Sequence, residues 1–281
     1  MSLINWPEHL ITELAERRCI IFIGSGVSAA AENAEGRKPK TWGIFLEESL
    51  SLVPEGNDKE FIKKLIKEKN YLLALQCIYD HSDNNEYISF LRKEFSAPNY
   101  QPSSIHTDIA DIDAKIVITT NFDKIYEKAC YGDGHSIINY NDNNLIENLR
   151  SNQRLIIKAH GNINDIGNMI FTKRQYFEAK RQYSEFYNIL SALFITNTIL
   201  FIGCGLNDPD INLLLENVYK TTGSTLSHYV VSLDDVDANI IKDWKESYNI
   251  NTLKYGPDYP DLAPNIEALK DAVLSYRAAR V

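Results

Sequence analysis

Six short runs of β-branched and other apolar residues, separated by longer stretches of helical character, constrain the fold of this chain most strongly. Most of these runs are apolar at every position, so both faces of each strand must be covered, as in the parallel sheet of an α/β protein. The predicted strands are residues 18–23, 115–118, 154–158, 198–202, 228–232 and 251–254. We therefore predict an α/β fold with a parallel sheet.

A long stretch without a comparable strand separates the first run from the second. Between Trp42 and Asp113 the apolar residues follow helical spacing, as in residues 71–78. No internal repeat, low-complexity tract or long Pro/Gly linker divides the chain. We therefore predict one domain over residues 1–281, with a helical insertion at about residues 43–113.

The composition excludes several classes of protein. The 281 residues are 44% hydrophobic and 24% charged, which is typical of a folded chain rather than a disordered one. The 38 acidic residues outnumber the 29 basic ones, and the formal net charge of -9 opposes direct binding to nucleic acid or to an anionic membrane surface. The apolar runs fall far short of the ~20 residues that span a bilayer. The first residues lack the features of a secretion signal, so we expect a cytoplasmic protein.

The cysteines give no sign of a metal site. Cys19, Cys77, Cys130 and Cys204 are widely separated, and no C-x-x-C pair is present. Structural zinc sites and redox centres start from such pairs, and cytosolic thiols stay reduced. We therefore expect neither a disulfide nor a bound metal.

Chemical signals for helix starts indicate where the loops after the strands lie. Thr172 and Gln175 have the spacing of a capping box, in which each side chain bonds a backbone N–H at the start of a helix. Asp208 followed by Pro209 is an acidic N-cap with proline at the first helical position. The loops after the first four predicted strands then lie at the carboxyl edge of the sheet, where open α/β folds bind ligands.

The loop after the first strand, residues 24–28, reads Gly-Ser-Gly-Val-Ser and precedes a short predicted helix. Glycines let a backbone turn sharply and approach a pyrophosphate, toward which the helix presents N–H groups. A tight turn with no ligand is the alternative for the same residues. An ordinary dehydrogenase needs an acidic residue at the end of a second strand about 20 positions further on. Here Glu47 and Glu48 fall within a helical pattern, which argues against a dehydrogenase.

The other three loops carry polar or glycine residues at the same edge. After the second strand, Asn121 can donate and accept hydrogen bonds, and Asp123 can orient a donor or cap the next helix. After the third strand, His160 beside Gly161 can exchange protons near neutral pH, although a lone histidine there is more often structural. After the fourth strand, the glycine-flanked residues 203–208 can admit a ribose or an adenine, or form a plain turn.

The four loops in this order resemble the sirtuin superfamily. In that family a G-A-G-x-S loop, an N-x-D loop, an H-G loop and a later G-x-S-like or G-x-G-like loop follow successive strands. The counterparts here are residues 24–28, 121–123, 160–161 and 203–205, and the similarity spans residues 19–210. The resemblance implies a Rossmann-like, doubly wound parallel sheet with a helical insertion.

Two departures from the deacylase members of the superfamily bear on the activity. The acidic-Arg segment that follows their first glycine loop is replaced here by residues 30–42, and no four-cysteine zinc module is present. The loop from Pro39 to Trp42, the N-F-D form of the second motif and the G-x-G-L-N-D form of the last one look like the sirtuin-like proteins of bacterial antiphage defence. Members of that group resemble NAD+ hydrolases rather than protein deacylases.

The resemblance implies NAD+ as the substrate and assigns roles to individual residues. Asn121 would orient the nicotinamide ribose and the attacking water, and His160 would act as general base or polarise a ribose hydroxyl. Asp123 would support them, with helix capping as the alternative role. The residues expected to contact or border the nucleotide are Gly24, Ser25, Gly26, Ser28, Thr120, Gly203, Gly205 and Leu206.

The predicted function is an NAD+ glycohydrolase that releases nicotinamide and ADP-ribose and depletes NAD+ in antiphage defence. Two alternatives use the same loops: an NAD-dependent protein deacylase, which the missing zinc module disfavours, and a catalytically silent sensor of NAD+ or ADP-ribose. An enzyme that destroys NAD+ requires control. We therefore expect a homo-oligomer or a separate partner protein, and the resemblance implies a multimeric ATPase, a helicase-like protein or an Argonaute-like protein as the candidate partner.

Metal analysis of the purified protein tests the interpretation of the cysteines. We expect no stoichiometric zinc, because no four ligands have the spacing of a structural zinc site. One tightly held zinc per chain would contradict this interpretation and favour the deacylase alternative.

Overall fold

Seven strands form one parallel sheet in the computed structural model, which describes residues 3–206, 215 and 227–280. The order across the sheet is β3-β4-β2-β1-β5-β6-β7, and every neighbouring pair is parallel. The predicted α/β fold with a Rossmann-like, doubly wound sheet is therefore confirmed. The strands are β1 Cys19–Ile23, β2 Ile116–Thr119, β3 His135–Asn139, β4 Arg154–Lys158, β5 Thr198–Ile202, β6 His228–Ser232 and β7 Ile250–Lys254.

Six of these strands are the ones that the apolar runs predict, and β3 is the strand that they miss. This strand lies at the edge of the sheet, and only Ile138 among its residues is buried. An edge strand has a neighbour on one side only, so it needs no continuous apolar run. A search for continuous apolar runs, which detects buried parallel strands, therefore does not detect β3.

Helices cover both faces of the sheet and fill the chain between β1 and β2. The stretch predicted as a helical insertion contains α3 to α7, while its status as an insertion into a single domain stays a prediction. In the parts of the chain that the structure describes with continuous bounds, the helices are α1 Glu8–Ala15, α2 Ser25–Ser28, α3 Trp42–Ser49, α4 Asn57–Lys67, α5 Tyr71–His81, α6 Asn84–Phe95, α7 Ser104–Asp111, α8 Ile125–Ala129, α9 Leu145–Arg150, α10 Lys173–Gln182, α11 Ser184–Thr196, α12 Ala238–Tyr248 and α13 Leu262–Ala278, with 3-10 turns at Leu50–Leu52, Ile166–Asn168 and Tyr259–Asp261.

The side chains of β1 alternate between two hydrophobic cores, one on each face of the sheet. Ile20 and Phe22 join the core that contains Phe194 of α11. Ile21 and Ile23 join the core formed with α1, α7 and α13. Because successive side chains of a strand point to opposite faces, a strand buried on both sides must be apolar throughout.

A third core lies within the helical region and reaches the loops at the carboxyl edge of the sheet. It contains buried apolar residues of α3 to α6. It also contains Phe122, from the loop after β2, and Phe171, from the segment that precedes α10. The helical region is thus packed directly against the loops that the sequence singles out.

The capping box at the start of α10 is confirmed. The Thr172 side chain accepts a hydrogen bond from the Gln175 N–H at 3.4 Å, and the Gln175 side chain accepts one from the Thr172 N–H at 2.8 Å. The predicted N-cap at Asp208 and Pro209 lies outside the described residues. Within residues 3–206 and 227–280, none of the helices has the length and apolar character needed to cross a bilayer.

Candidate active site

A cavity of about 400 Å³ opens at the carboxyl edge of the sheet, where β4, β2, β1 and β5 end. These four strands are neighbours, so the loops that follow them meet around one space, as open α/β sheets allow. The volume lies within the ~300–1,000 Å³ range of small-molecule sites. The residues predicted from sequence that line it are Gly24, Ser25, Ser28, Thr120, Asn121, Asp123, His160, Gly203, Gly205 and Leu206.

The first and fourth loops pack backbone against backbone. The Gly24 N–H donates to Ile202 O and the Gly26 N–H donates to Gly203 O, both at 3.0 Å. A Cβ at Gly24 would lie 2.5 Å from Gly203 O, and a Cβ at Gly203 would lie 2.5 Å from Val27 N. Gly203 also has a φ of 65°, in the left-handed region that favours glycine. The packing of the two loops therefore requires glycine at positions 24 and 203, whether or not a ligand binds.

Gly26 differs from the other predicted site residues because it does not line the cavity. Its N–H already bonds Gly203 O, and a Cβ at this position would lie 2.8 Å from Gly203 Cα. The structure thus gives Gly26 a role in packing the two loops together.

The side-chain amide of Asn121 is held in one orientation. Its Nδ2 donates to Gly24 O and to Ser28 Oγ, both at 2.9 Å. Because a carbonyl oxygen can only accept, the nitrogen must face Gly24, and this fixes which end of the amide is which. With both N–H groups engaged, Oδ1 is the atom of this amide that can accept a hydrogen bond from a ligand or a water.

The Asp123 carboxylate uses both oxygens within the protein. Oδ1 accepts from the Ile125 N–H at 2.9 Å, which satisfies the first N–H of α8, and Oδ2 accepts from Ser28 Oγ at 2.7 Å. Ser28 therefore donates to Asp123 and accepts from Asn121. Asp123 thus accepts from the first N–H of α8 although Lys124 is the N-cap, and the same carboxylate sets the direction of the Ser28 hydroxyl.

His160 is fixed by packing on one side and by its backbone on the other. The residue is 5% exposed, and its ring meets that of Tyr176 nearly at right angles with centroids 5.0 Å apart. The Tyr176 hydroxyl lies 3.4 Å from Nδ1. The His160 carbonyl accepts from the Ile170 N–H at 2.9 Å. Tyr176 lines the same cavity, and no local sequence signal identifies it as a partner of the histidine.

Aromatic side chains of the helical region and its neighbours form another wall of the cavity. Phe122 and Phe171 stack with centroids 4.4 Å apart, and Trp42 meets Phe171 edge-on at 5.5 Å. Trp42 is 38% exposed, which places it at the rim. These three residues, together with Phe45 and Phe95, give the wall an apolar surface suited to a flat ring.

A charged cluster beside this wall was not predicted from the sequence. Glu94 is only 5% exposed and pairs with Arg37 and Lys40, and Lys40 also pairs with Glu48. Burial lowers the pKa of Lys40, but hydrogen bonds to Glu48 and Glu94 outweigh that effect and raise it, so the ammonium stays charged. Lys40 and Glu94 line the cavity and lie 54 positions apart, a separation at which no sequence pattern relates them.

The end of the fourth loop marks the limit of the described site. Leu206 is buried with a φ of 48°, and the next motif residues, Asn207 and Asp208, lie outside the described residues. Over the described parts of the chain, no group of three or more His, Cys, Asp or Glu side chains could hold a metal ion. The expectation that no metal is bound stays a prediction.

Comparison with known proteins gives one family match. A family model described as a SIR2-like domain matches residues 115–253, a range that contains three of the four loops. The chain is 27% identical over 219 residues to a protein named defense-associated sirtuin 2 from Bacillus subtilis, covering 75% of this chain and 20% of that protein.

Further relatives carry the name NAD(+) hydrolase ThsA. The chain is 25% identical over 245 residues to the one from Acinetobacter baumannii, covering 86% of this chain and 48% of that protein. It is 24% identical over 227 residues to the one from Cytobacillus dafuensis, covering 79% and 42%. The chain therefore spans less than half of the length of each of these relatives.

Gly26→Ala tests whether packing constrains the glycine loops. The new Cβ would lie 2.8 Å from Gly203 Cα, so the fourth loop must move. We expect the free energy of unfolding to fall by roughly 1–3 kcal/mol, the usual cost of overpacking. Gly43→Ala is the matched control, because nothing lies within 4 Å of a Cβ there and alanine favours a helix. Urea unfolding measures both variants, and unchanged stability of Gly26→Ala would contradict the packing role.

Proposed function

We propose that this chain, whose residues 115–253 match the model of a SIR2-like domain, is an NAD+ glycohydrolase, which cleaves NAD+ into nicotinamide and ADP-ribose. The meeting of Asn121, Asp123 and His160 with two glycine loops around one cavity carries the proposal. The names of the relatives support it, since two are called NAD(+) hydrolases and one is called a defense-associated sirtuin. We extend the proposal to an NAD-depleting role in bacterial antiphage defence.

The proposed reaction breaks the bond between the anomeric carbon of the ribose and the nicotinamide nitrogen. The bonding electrons stay with the nitrogen, which is cationic in NAD+ and leaves neutral, so departure needs no general acid. The oxygen of a water bonds to the anomeric carbon, and the water loses one proton. Because the transition state is oxocarbenium-like, the barrier depends chiefly on how the ribose and the water are positioned.

We assign the positioning of the water or of a ribose hydroxyl to Asn121 Oδ1. The two N–H groups of this amide are engaged by Gly24 O and Ser28 Oγ, which leaves its oxygen to accept from the reactants. Asp123 acts through Ser28, whose hydroxyl it orients. Since the amide cannot rotate without breaking both bonds, the acceptor is already oriented before substrate binds.

We assign proton transfer to His160. Imidazole exchanges protons near neutral pH, and a neutral ring can take the proton of the attacking water or polarise a ribose hydroxyl. Packing against Tyr176 limits the motion of the ring, which favours a fixed distance to the reacting atoms.

The remaining lining residues are proposed to hold the nucleotide. Glycine loops offer backbone N–H groups and space for a diphosphate. The residues in this set are Gly24, Ser25, Ser28, Thr120, Gly203, Gly205 and Leu206. We propose that Gly26 contributes through loop packing instead. The aromatic wall around Phe122 and Phe171 is the proposed environment of the nicotinamide ring.

Control of the activity belongs to the same proposal. We propose that the enzyme works in the cytoplasm without a metal and is held in check by homo-oligomerisation or by a separate partner protein. A multimeric ATPase, a helicase-like protein and an Argonaute-like protein are the partners to test first.

Incubation of the purified protein with NAD+ alone tests the proposed function. We expect nicotinamide and ADP-ribose to accumulate without any acylated peptide, because water is the only co-substrate in the proposed reaction. Chromatography of the reaction mixture measures both products. Turnover that depends on an acylated peptide would indicate a deacylase, and saturable binding without turnover would indicate a sensor.

His160→Ala and Asn121→Ala separate binding from chemistry. Each variant should lose at least ~10²-fold in nicotinamide release, because each removes a group that acts on the transition state. NAD+ affinity measured by calorimetry should stay close to that of the wild type, since the glycine loops are unchanged. Phe177→Ala is the control, because this side chain on α10 is 65% exposed. The control variant should fold and turn over NAD+ like the wild type. Wild-type turnover in the two folded variants would contradict the assigned roles.

A further inference from the structure

One buried lysine beside the catalytic loops takes no part in the steps above. Lys158 is the last residue of β4 and is 1% exposed. Its Nζ donates to the backbone carbonyl of Asp123 at 2.6 Å and pairs with Glu127 Oε1 at 2.7 Å. Lys158 does not line the cavity, so its charge does not face the substrate.

The burial of this ion pair points to a function other than stability. Removing an ammonium and a carboxylate from water is costly, and apolar side chains of similar size often give equal or greater stability. Glu127, 9% exposed in α8, balances the charge of Lys158. The additional contact of Nζ, to the carbonyl of Asp123, shows which part of the structure the pair holds in place.

The lysine contact lies where the backbone pairing of β2 with β4 ends. The last paired residues are Thr119 and Lys158. Beyond them the Ile163 N–H donates to Phe122 O at 3.0 Å, and Lys158 Nζ adds a bond to the Asp123 carbonyl. The lysine thereby links the loop after β2 to the strand that leads directly into the third loop.

The position of Asp123 is passed on to Asn121 through one hydroxyl. Ser28 Oγ donates to Asp123 Oδ2, and Ser28 Oγ in turn accepts from Asn121 Nδ2. A shift of the loop backbone at Asp123 therefore redirects Asn121 Oδ1. Misplacement of a reacting group by about 1 Å can cost on the order of 10²-fold in rate.

We propose that Lys158 is a positioning residue for NAD+ hydrolysis. With its charge balanced by Glu127, it holds the loop at Asp123 so that Asn121 and His160 keep their relative positions. This inference rests on the proposed function of the cavity, and its tests below include one readout that needs no turnover.

Lys158→Met removes the bond to the Asp123 carbonyl and leaves the Glu127 carboxylate buried without its cation. We expect kcat to fall at least about tenfold while KM stays within roughly threefold, because the residues that hold the nucleotide are unchanged. The thermal transition should also fall, since an unpaired buried charge is unfavourable. Unchanged kcat in the folded variant would overturn the proposal.

The double variant Lys158→Met with Glu127→Gln separates positioning from stability. It removes the unpaired charge, so it should recover most of the Tm that Lys158→Met loses. It does not restore the bond to the Asp123 carbonyl, so kcat should stay low. Recovery of both Tm and kcat would mean that the lysine acts only on stability and would overturn the proposal. Should Lys158→Met alone fail to fold, the double variant carries the kinetic test.

Lys270→Met is the matched control. Lys270 pairs with Asp108 at 2.7 Å, the side chains are 16% and 11% exposed, and the pair joins α13 to α7 without lining the cavity. We expect a lower Tm and wild-type kcat for this variant. A fall in kcat equal to that of Lys158→Met would show that loss of any buried ion pair has the same effect.

Hydrogen–deuterium exchange gives the readout that is independent of turnover. Peptides that cover residues 119–126 should exchange faster in Lys158→Met than in the wild type or in Lys270→Met, because the loop loses an anchor. If the wild type releases no nicotinamide, the proposed function fails. Hydrogen–deuterium exchange would still show whether Lys158 holds the loop at Asp123. Unchanged exchange over residues 119–126 would overturn it.

Discussion

Backbone packing between two glycine loops is the constraint on which the site depends. β1 lies in the middle of the sheet and pairs with β5, and the loops after these strands meet so closely that no Cβ fits at Gly24, Gly26 or Gly203. The same contact fixes the carbonyl of Gly24, which accepts from the amide of Asn121. The strand order thus determines where the cavity lies. The packing of the two glycine loops determines the orientation of the Asn121 side-chain amide.

Much of this arrangement can be predicted from sequence because burial leaves a local pattern. A strand covered on both faces must be apolar throughout, so β4 and β5 are found with their observed bounds, and β1 and β2 are found within one residue of theirs. Parallel strands bring their carboxyl ends to one edge, and this geometry converts four separate loops into a single predicted site. The edge strand β3 leaves no such pattern and is missed.

The roles of individual side chains depend on contacts that no local pattern records. The two oxygens of Asp123 accept from the N–H of Ile125, two positions away, and from the hydroxyl of Ser28, 95 positions away. Glycine at position 26 fits a nucleotide loop and a packing contact equally, and only the position of Gly203 distinguishes them. The pair of Lys40 and Glu94 joins two segments of the helical region that carry no shared motif.

The helical region is coupled to the chemistry through two stacked rings. Phe122 directly follows Asn121 and packs in the helical core, where it stacks on Phe171. Phe171 directly follows Ile170, whose N–H holds the carbonyl of His160. The Asn121 loop is therefore one residue away from the aromatic stack, and the His160 loop is joined to it by the hydrogen bond from Ile170. Because packed cores deform little, a rearrangement of α3 to α6 would move both loops together.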